Sequence, residues 1–115
     1  MLDYALVFKW VKALPDREAK ALENLADFRM FFDKLAAEGK VTEPLILMHV
    51  NDGMMIVRGK METIFEIIDH DDFIVLCDKA MLTCEGFTFH TYVAGEMMEH
   101  RLELYAKAGK ELSFF

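Results

Sequence analysis

The spacing of apolar residues changes along the chain, and each change marks a new element. An alternation with a period of two predicts a strand over Ala5–Val11. Apolar residues three and four positions apart then predict a helix over Arg17–Glu38. Two more strand-like runs follow, Leu45–Val50 and Met54–Arg58. Because only a short turn separates them, we expect these two strands to pair as a hairpin.

The second half of the chain repeats the order of helix and strand. The segment Lys60–Met81 predicts two short helices, Cys84–Val93 predicts a fourth strand, and Glu96–Lys110 predicts a last helix. The order β-α-β-β-α-β followed by a helix is typical of the ferredoxin-like split βαβ arrangement. We therefore predict an α+β fold with a four-stranded antiparallel sheet, formed by a single domain over residues 1–115.

Turn-forming residues indicate where several elements begin. Pro15 and Asp16 predict the start of the first helix, because proline suits the first turn and an acid suits the positive end of the helix dipole. Pro44 predicts that the second strand lies at a sheet edge, since proline cannot donate to a ladder. The turn Asn51-Asp52-Gly53 favours a hairpin in which the glycine takes positive φ. Asp71 is the predicted cap of the second short helix.

The first three predicted strands are apolar on both faces, which is typical of strands that are covered on both sides. Apolar residues make up 54% of the chain, above the ~45–50% that is usual for soluble proteins. A domain of this size has a limited interior, so part of that excess must lie at the surface, where large apolar patches mark partner surfaces. We therefore predict self-association as a homodimer.

The last helix carries Met98, Leu102 and Tyr105 on one stripe, and the chain ends in the apolar segment Leu112–Phe115. An apolar terminus in water is unfavourable. We expect it to pack against this chain or against a partner.

Charge and cysteine content exclude several classes of function. The net charge is −7, and the basic residues are scattered among acids, so we expect no nucleic-acid partner. Cys77 and Cys84 match no zinc-ligand spacing and are expected to be reduced, buried thiols. The sequence shows no signal peptide and no apolar run of the ~18–20 residues that cross a membrane. A cytoplasmic protein without membrane contact is the resulting expectation.

Three segments resemble small uncharacterised bacterial members of the dimeric α/β-barrel superfamily: Leu14–Ala19, Gly53–Gly59, and Asp72-Phe73 through Cys84–Phe87. In that superfamily two ferredoxin-like sheets face each other across a dimer. Its members include small monooxygenases, lactone isomerases, haem-handling enzymes and proteins without assigned activity. The resemblance implies the fold and dimerisation. It carries over no catalytic residue, because no catalytic motif of the superfamily matches a position here.

Alternation along the fourth strand gives the main candidate for chemistry. If Phe87 and Phe89 face the helices, His90 and Tyr92 share the opposite face. An imidazole there can serve as general acid or base, or it can be a structural, hydrogen-bonded histidine. Arg58 can hold a carboxylate bidentately.

Instead of binding a ligand carboxylate, Arg58 can form an ion pair with Glu43 or with Glu62.

Three further residues are candidate ligand contacts. Trp10 is either core or a pocket wall, Met54 belongs to a methionine-rich set that can line an adaptable pocket or fill the core, and His49 is a strand-end residue. The triplet His70-Asp71-Asp72 and the acidic surroundings of His100 suit a metal poorly. We expect no metal and no cofactor.

The sequence leaves two functions open. The first is a dimeric protein that binds a small apolar organic ligand between its sheets. The alternative is a cofactor-free enzyme, of monooxygenase or isomerase type, that acts on a small organic molecule with His90 as acid or base.

Overall fold

The computed structural model describes residues 2–115, which have an α+β fold. The strands are β1 (Tyr4–Trp10), β2 (Lys12–Ala13), β3 (Leu45–Met48), β4 (Gly53–Gly59), β5 (Cys84–Glu85) and β6 (Thr88–Val93). The helices are α1 (Glu18–Ala37), α2 (Met61–Ile68), α3 (Asp71–Thr83) and α4 (Gly95–Glu111). The predicted order of the four main strands and of the helices is confirmed, including the division of Lys60–Met81 into two helices, whereas β2 and β5 were not predicted as separate strands.

The main sheet has four antiparallel strands in the order β3-β4-β1-β6. The strand that follows Pro44 lies at an edge, as predicted. One face of the sheet, the helix face, carries Leu6, Phe8 and Met55, which are buried under the helices. The other face, the open face, carries the alternating residues of each strand, among which Leu45, Leu47, His90 and Tyr92 are exposed.

Phe8 lies at the centre of the core. Its ring packs against five other phenylalanine rings with centroids 5.3 to 6.3 Å apart. Those rings come from α1 (Phe28, Phe32), α3 (Phe73) and the β5–β6 region (Phe87, Phe89). Tilted and offset ring pairs at such distances stabilise a core beyond simple area burial. One side chain of β1 therefore joins α1 and α3 to the sheet.

The segment predicted as one strand over Cys84–Val93 is two strands, and this part of the prediction is wrong. β5 pairs with β2 in a separate two-stranded ribbon, and β6 joins the main sheet. Gly86 divides them with φ +69°, and a Cβ there would lie 2.5 Å from Cγ2 of Val11. Only glycine combines that φ with such a close approach.

The starts of two helices also differ from the prediction. Asp16 has φ +65° and lies in a turn, where Arg17 N donates to Leu14 O at 3.0 Å, so α1 begins at Glu18. His70 caps α3, because its Nδ1 accepts from the backbone N of Asp72 at 3.1 Å. Asp71, the predicted cap, is the first helical residue and still suits the helix dipole.

The hairpin between β3 and β4 has a longer connection than predicted, over residues 49–52. His49 N donates to Asp52 O at 2.9 Å, and Gly53 already belongs to β4. Gly53 does not have positive φ. It is needed instead for space, since a Cβ there would lie 2.5 Å from Cζ2 of Trp10 and 2.8 Å from Leu47 O.

The helix α4 extends away from the rest of the domain. It packs against β6 where it begins, and its only buried residue within the described chain is Gly109. The radius of gyration is 16.7 Å and the molecule measures 54 × 32 × 23 Å, whereas a compact domain of this length has a radius of about 13 Å. None of the helices in residues 2–115 has the length and apolar character to span a bilayer.

We expect Phe32→Ala to lower the free energy of unfolding by about 3–5 kcal/mol, because Phe32 is fully buried and its removal leaves a cavity beside Phe8. Met30→Ala, two positions earlier in α1 at an exposed site, is the control and should change it by less than about 0.5 kcal/mol. Urea denaturation followed by circular dichroism gives both values. Equal effects of the two substitutions would contradict the proposed role of the aromatic core.

Candidate functional site

The open face brings His90, Tyr92 and Arg58 onto one surface. Tyr92 and Arg58 both pair with Ala5, one on each side of β1. His90 pairs with Val7 in the next row, and its ring centroid lies 6.4 Å from that of Tyr92. His90 and Tyr92 are exposed in the single chain. The face that alternation along β6 predicts is therefore the face on which these residues lie.

Arg58 is held by the chain's own backbone. Its Nη2 donates to the carbonyl of Leu2 at 2.9 Å, and its own N donates to Thr42 Oγ1 at 2.9 Å. The buried Nε has no hydrogen-bond partner among residues 2–115. The guanidinium thus binds the N-terminal segment beside β4, and its Nε–H is a buried donor without a partner among residues 2–115.

Trp10, His49 and Met54 line one cavity at the hairpin end of the sheet. We call it the hairpin cavity; its volume is about 460 Å³, and Lys9 and Thr88 of the open face also line it. His49 is exposed, and its Nδ1 lies 2.9 Å from Oδ1 of Asp52. None of His90, Tyr92 and Arg58 lines this cavity. The candidate residues therefore form two groups on the sheet.

A second cavity, which the sequence does not predict, lies on the helix face between α1 and the sheet. We call it the α1 cavity, and its volume is about 440 Å³. Its apolar wall includes Phe8, Trp10, Leu25, Phe28, Met55 and Phe87. Lys12, Glu18 and Asn51 also line it. Ligand pockets are commonly of ~300–1,000 Å³ with a mostly apolar lining and few polar groups.

Asn24 supplies a buried polar group to this apolar wall. It is the one buried polar residue of the described chain. Its Nδ2 donates to the carbonyl of Leu76 in α3 at 3.2 Å, which assigns the amide orientation. Its Oδ1 is buried and has no partner among residues 2–115. A buried acceptor without a donor costs about 1–3 kcal/mol.

The first turns of α1 contribute the helical wall of the α1 cavity. Leu22, which lies six residues before the buried Phe28 and about 120° away from it around the helix, is exposed at that wall. Asn24 is the sequence signal that could indicate the cavity, because a polar residue four positions before Phe28 interrupts a buried face.

The two cysteines differ in their surroundings. Both are free thiols. Burial, together with the charge of Asp78, raises the pKa of Cys77 to about 12. Cys84 is half-buried and lines the α1 cavity. Within residues 2–115 no three potential ligands among His, Cys, Asp and Glu gather around a point where a metal could bind.

Comparison with known proteins shows the fold. The sequence matches no family model and no curated protein. The structure is similar to that of a "putative antibiotic biosynthesis monooxygenase" from Caulobacter crescentus CB15, with a TM-score of 0.61, 14% identity, and coverage of 82% of this chain and 92% of the other.

A second similar structure is a dimeric protein of unknown function with a ferredoxin-like fold from Bacteroides fragilis NCTC 9343. Its TM-score is 0.52 at 11% identity, with 79% of this chain and 96% of the other covered. The predicted ferredoxin-like fold is confirmed.

We expect Ellman's reagent at about pH 8 to modify one thiol per native chain. With a pKa of about 12, only about one part in ten thousand of Cys77 is thiolate at that pH, and its burial also excludes the reagent. Cys84→Ser should remove the reaction, and Cys77→Ser should preserve it. Absorbance at the end of the reaction counts the thiols, and rapid modification of both in the native protein would contradict the assignment.

Proposed function

We propose that this protein binds a small, largely apolar organic molecule in the α1 cavity. The observation that carries the proposal is the buried Oδ1 of Asn24, which has no partner among residues 2–115 and belongs to a mostly apolar lining. The volume and lining suit a molecule of one to a few rings. Burying such a molecule stabilises the complex by roughly 25 cal/mol for each Å² of apolar surface removed from water.

The amide of Asn24 gives the cavity its specificity. Because Leu76 holds Nδ2, the free Oδ1 can only accept a hydrogen bond. The ligand should therefore carry a hydroxyl or N–H donor on an apolar framework. Trp10, Phe28 and Phe87 provide ring faces and edges against which a planar framework can pack.

We also propose that the protein is a homodimer whose open faces are covered by the partner. A row of apolar side chains, Leu45, Ile56 and Val7, crosses three strands of that face. Leu45 and Leu47 are exposed in the single chain. An apolar sheet face of this kind favours burial by a second layer. The two free thiols suit a reducing compartment such as the cytoplasm.

We expect 2-naphthol to bind more tightly than naphthalene, because only naphthol can donate to Oδ1 of Asn24. One hydrogen bond of about 0.5–1.5 kcal/mol corresponds to roughly 2- to 13-fold in affinity. Isothermal titration calorimetry measures the ratio, and slower modification of Cys84 by Ellman's reagent shows whether the bound molecule occupies the α1 cavity.

The matched variants are Asn24→Leu and Asn51→Leu. The first should abolish the preference for naphthol, whereas the second, at an exposed position lining the same cavity, should keep it. Equal affinity for the two probes in the unaltered protein, or binding that leaves the reactivity of Cys84 unchanged, would refute the proposal.

A second candidate function is a cofactor-free oxidation or isomerisation on the open face. What favours it is that His90, Tyr92 and Arg58 lie on one surface. In a sheet-to-sheet dimer that surface would be enclosed. His90 would move a proton, while Tyr92 or Arg58 would orient the substrate. The likeness to a protein described as a monooxygenase agrees with this candidate, although at 14% identity it concerns the fold alone.

For the enzyme candidate, we expect His90→Gln to lower oxygen uptake with 1,5-dihydroxynaphthalene by about 100-fold or more, since proton transfer by a placed side chain contributes roughly 10²–10⁴. The loss should be accompanied by loss of the pH dependence of the rate. His100→Gln, an exposed histidine on α4, is the control. Oxygen uptake that is the same in both variants would exclude His90 as the acid or base.

A further inference from the structure

We propose that α4 and the folded-back C-terminal segment form an arm that pairs with the same arm of a second copy of this chain. The inference rests on the proposed homodimer and adds a second contact to it, away from the open face. In the single chain this helix has an apolar stripe with nothing to cover it: within the described residues only Gly109 of α4 is buried.

The stripe has the spacing of a helix–helix seam. Met98, Leu102, Tyr105, Gly109 and Leu112 follow one another at intervals of four, three, four and three residues. That alternation is the a/d pattern by which two helices pack along their length. The opposite side of α4 is charged, with Glu103, Lys107 and Lys110. The helix therefore has an apolar face that can pack against another helix and a charged face that suits contact with solvent.

The C-terminal segment completes this apolar face. Phe114 N donates to Gly109 O at 2.9 Å and Ser113 has φ +62°, so the chain turns back at the end of α4. The ring of Phe115 then lies on Gly109, where any Cβ would overlap it, and its centroid is 6.0 Å from that of Tyr105. The tail thus fills the gap that glycine leaves in the seam.

The exposed area is large enough for a stable contact. The side chains of Tyr105, Phe114 and Phe115 are 70%, 77% and 69% exposed, which at about 200 Å² each amounts to on the order of 400 Å². A standard interface buries about 800 Å² on each partner. When the leucines of the same stripe are added, the exposed apolar area of the arm approaches about 800 Å².

A second copy is the occupant that matches this surface. A two-fold contact uses the same patch on both chains, so a continuous a/d stripe is its own complement. The helix of 17 residues is about 25 Å long. This length allows it to pack along the α4 helix of a second copy outside the two sheets.

The test compares Leu102→Glu with Leu82→Glu in the full-length protein. Both leucines are exposed on helices, at 59% and 65%, but only Leu102 lies in the seam. Sedimentation velocity over a range of micromolar concentrations should show a dimer for the unaltered chain and for Leu82→Glu. Leu102→Glu should raise the dimer dissociation constant by about tenfold or more. If the two variants sediment alike, the arm contact is refuted.

A third variant separates the arm from the open face. Leu47→Lys alters the open face, and Met48→Lys, the next residue, alters the opposite face and is its control. A dimer lost with Leu47→Lys but kept with Leu102→Glu would leave the proposed homodimer standing and refute the arm. An unaltered chain that is monomeric at every concentration would refute both, while ligand binding in the α1 cavity is judged independently by Cys84 protection.

Cross-linking identifies the partner element. In a Cys84→Ser background, Tyr105→Cys should form a disulfide-linked dimer on mild oxidation, whereas Lys107→Cys, on the charged side of the same helix, should not. Equal cross-linking at both positions would show random encounters and would overturn the pairing of α4 with α4.

Discussion

The packing of five phenylalanine rings around Phe8 is the contact on which the rest of the structure depends. It joins α1 and α3 to the central strand of the sheet, and through Phe87 and Phe89 it also fixes the connection between β5 and β6. The same rings set the floor of the α1 cavity, because Phe8, Phe28 and Phe87 belong to both. Stability and a candidate binding site therefore share their side chains.

The order of elements follows from the apolar period alone, and Pro44 correctly marks the edge strand. The errors concern places where tertiary contacts decide the local conformation. Gly86 divides a continuous β-pattern because Val11 approaches it from another strand. Gly53 is required by the ring of Trp10 rather than by φ. His70 caps α3 in place of the more common aspartate. None of these contacts is visible in a single stretch of sequence.

Alternation along β6 places His90 and Tyr92 on the open face. Once Phe89 is assigned to the helix face, the period of two assigns its neighbour His90, and then Tyr92, to the other face. The α1 cavity could not be inferred in this way. Its existence depends on how several elements pack together, because its lining comes from α1, α3, the strands and the hairpin connection. Asn24 is the one residue whose chemistry is out of place in the pattern. Its structural role becomes evident only from the hydrogen bond that its amide nitrogen donates to the carbonyl of Leu76.

Trp10 and Met48 line both cavities, so a thin wall of two side chains separates the helix face from the open face at the hairpin end. A guest in one cavity that displaced the indole ring would reduce the volume of the other cavity. In that case the two cavities would be thermodynamically linked, and each guest would change the affinity for the other by the same factor. The ring of Trp10 packs where a Cβ of residue 53 would lie, with its Cζ2 only 2.5 Å from that position, so the glycine is what allows the indole to form this shared wall.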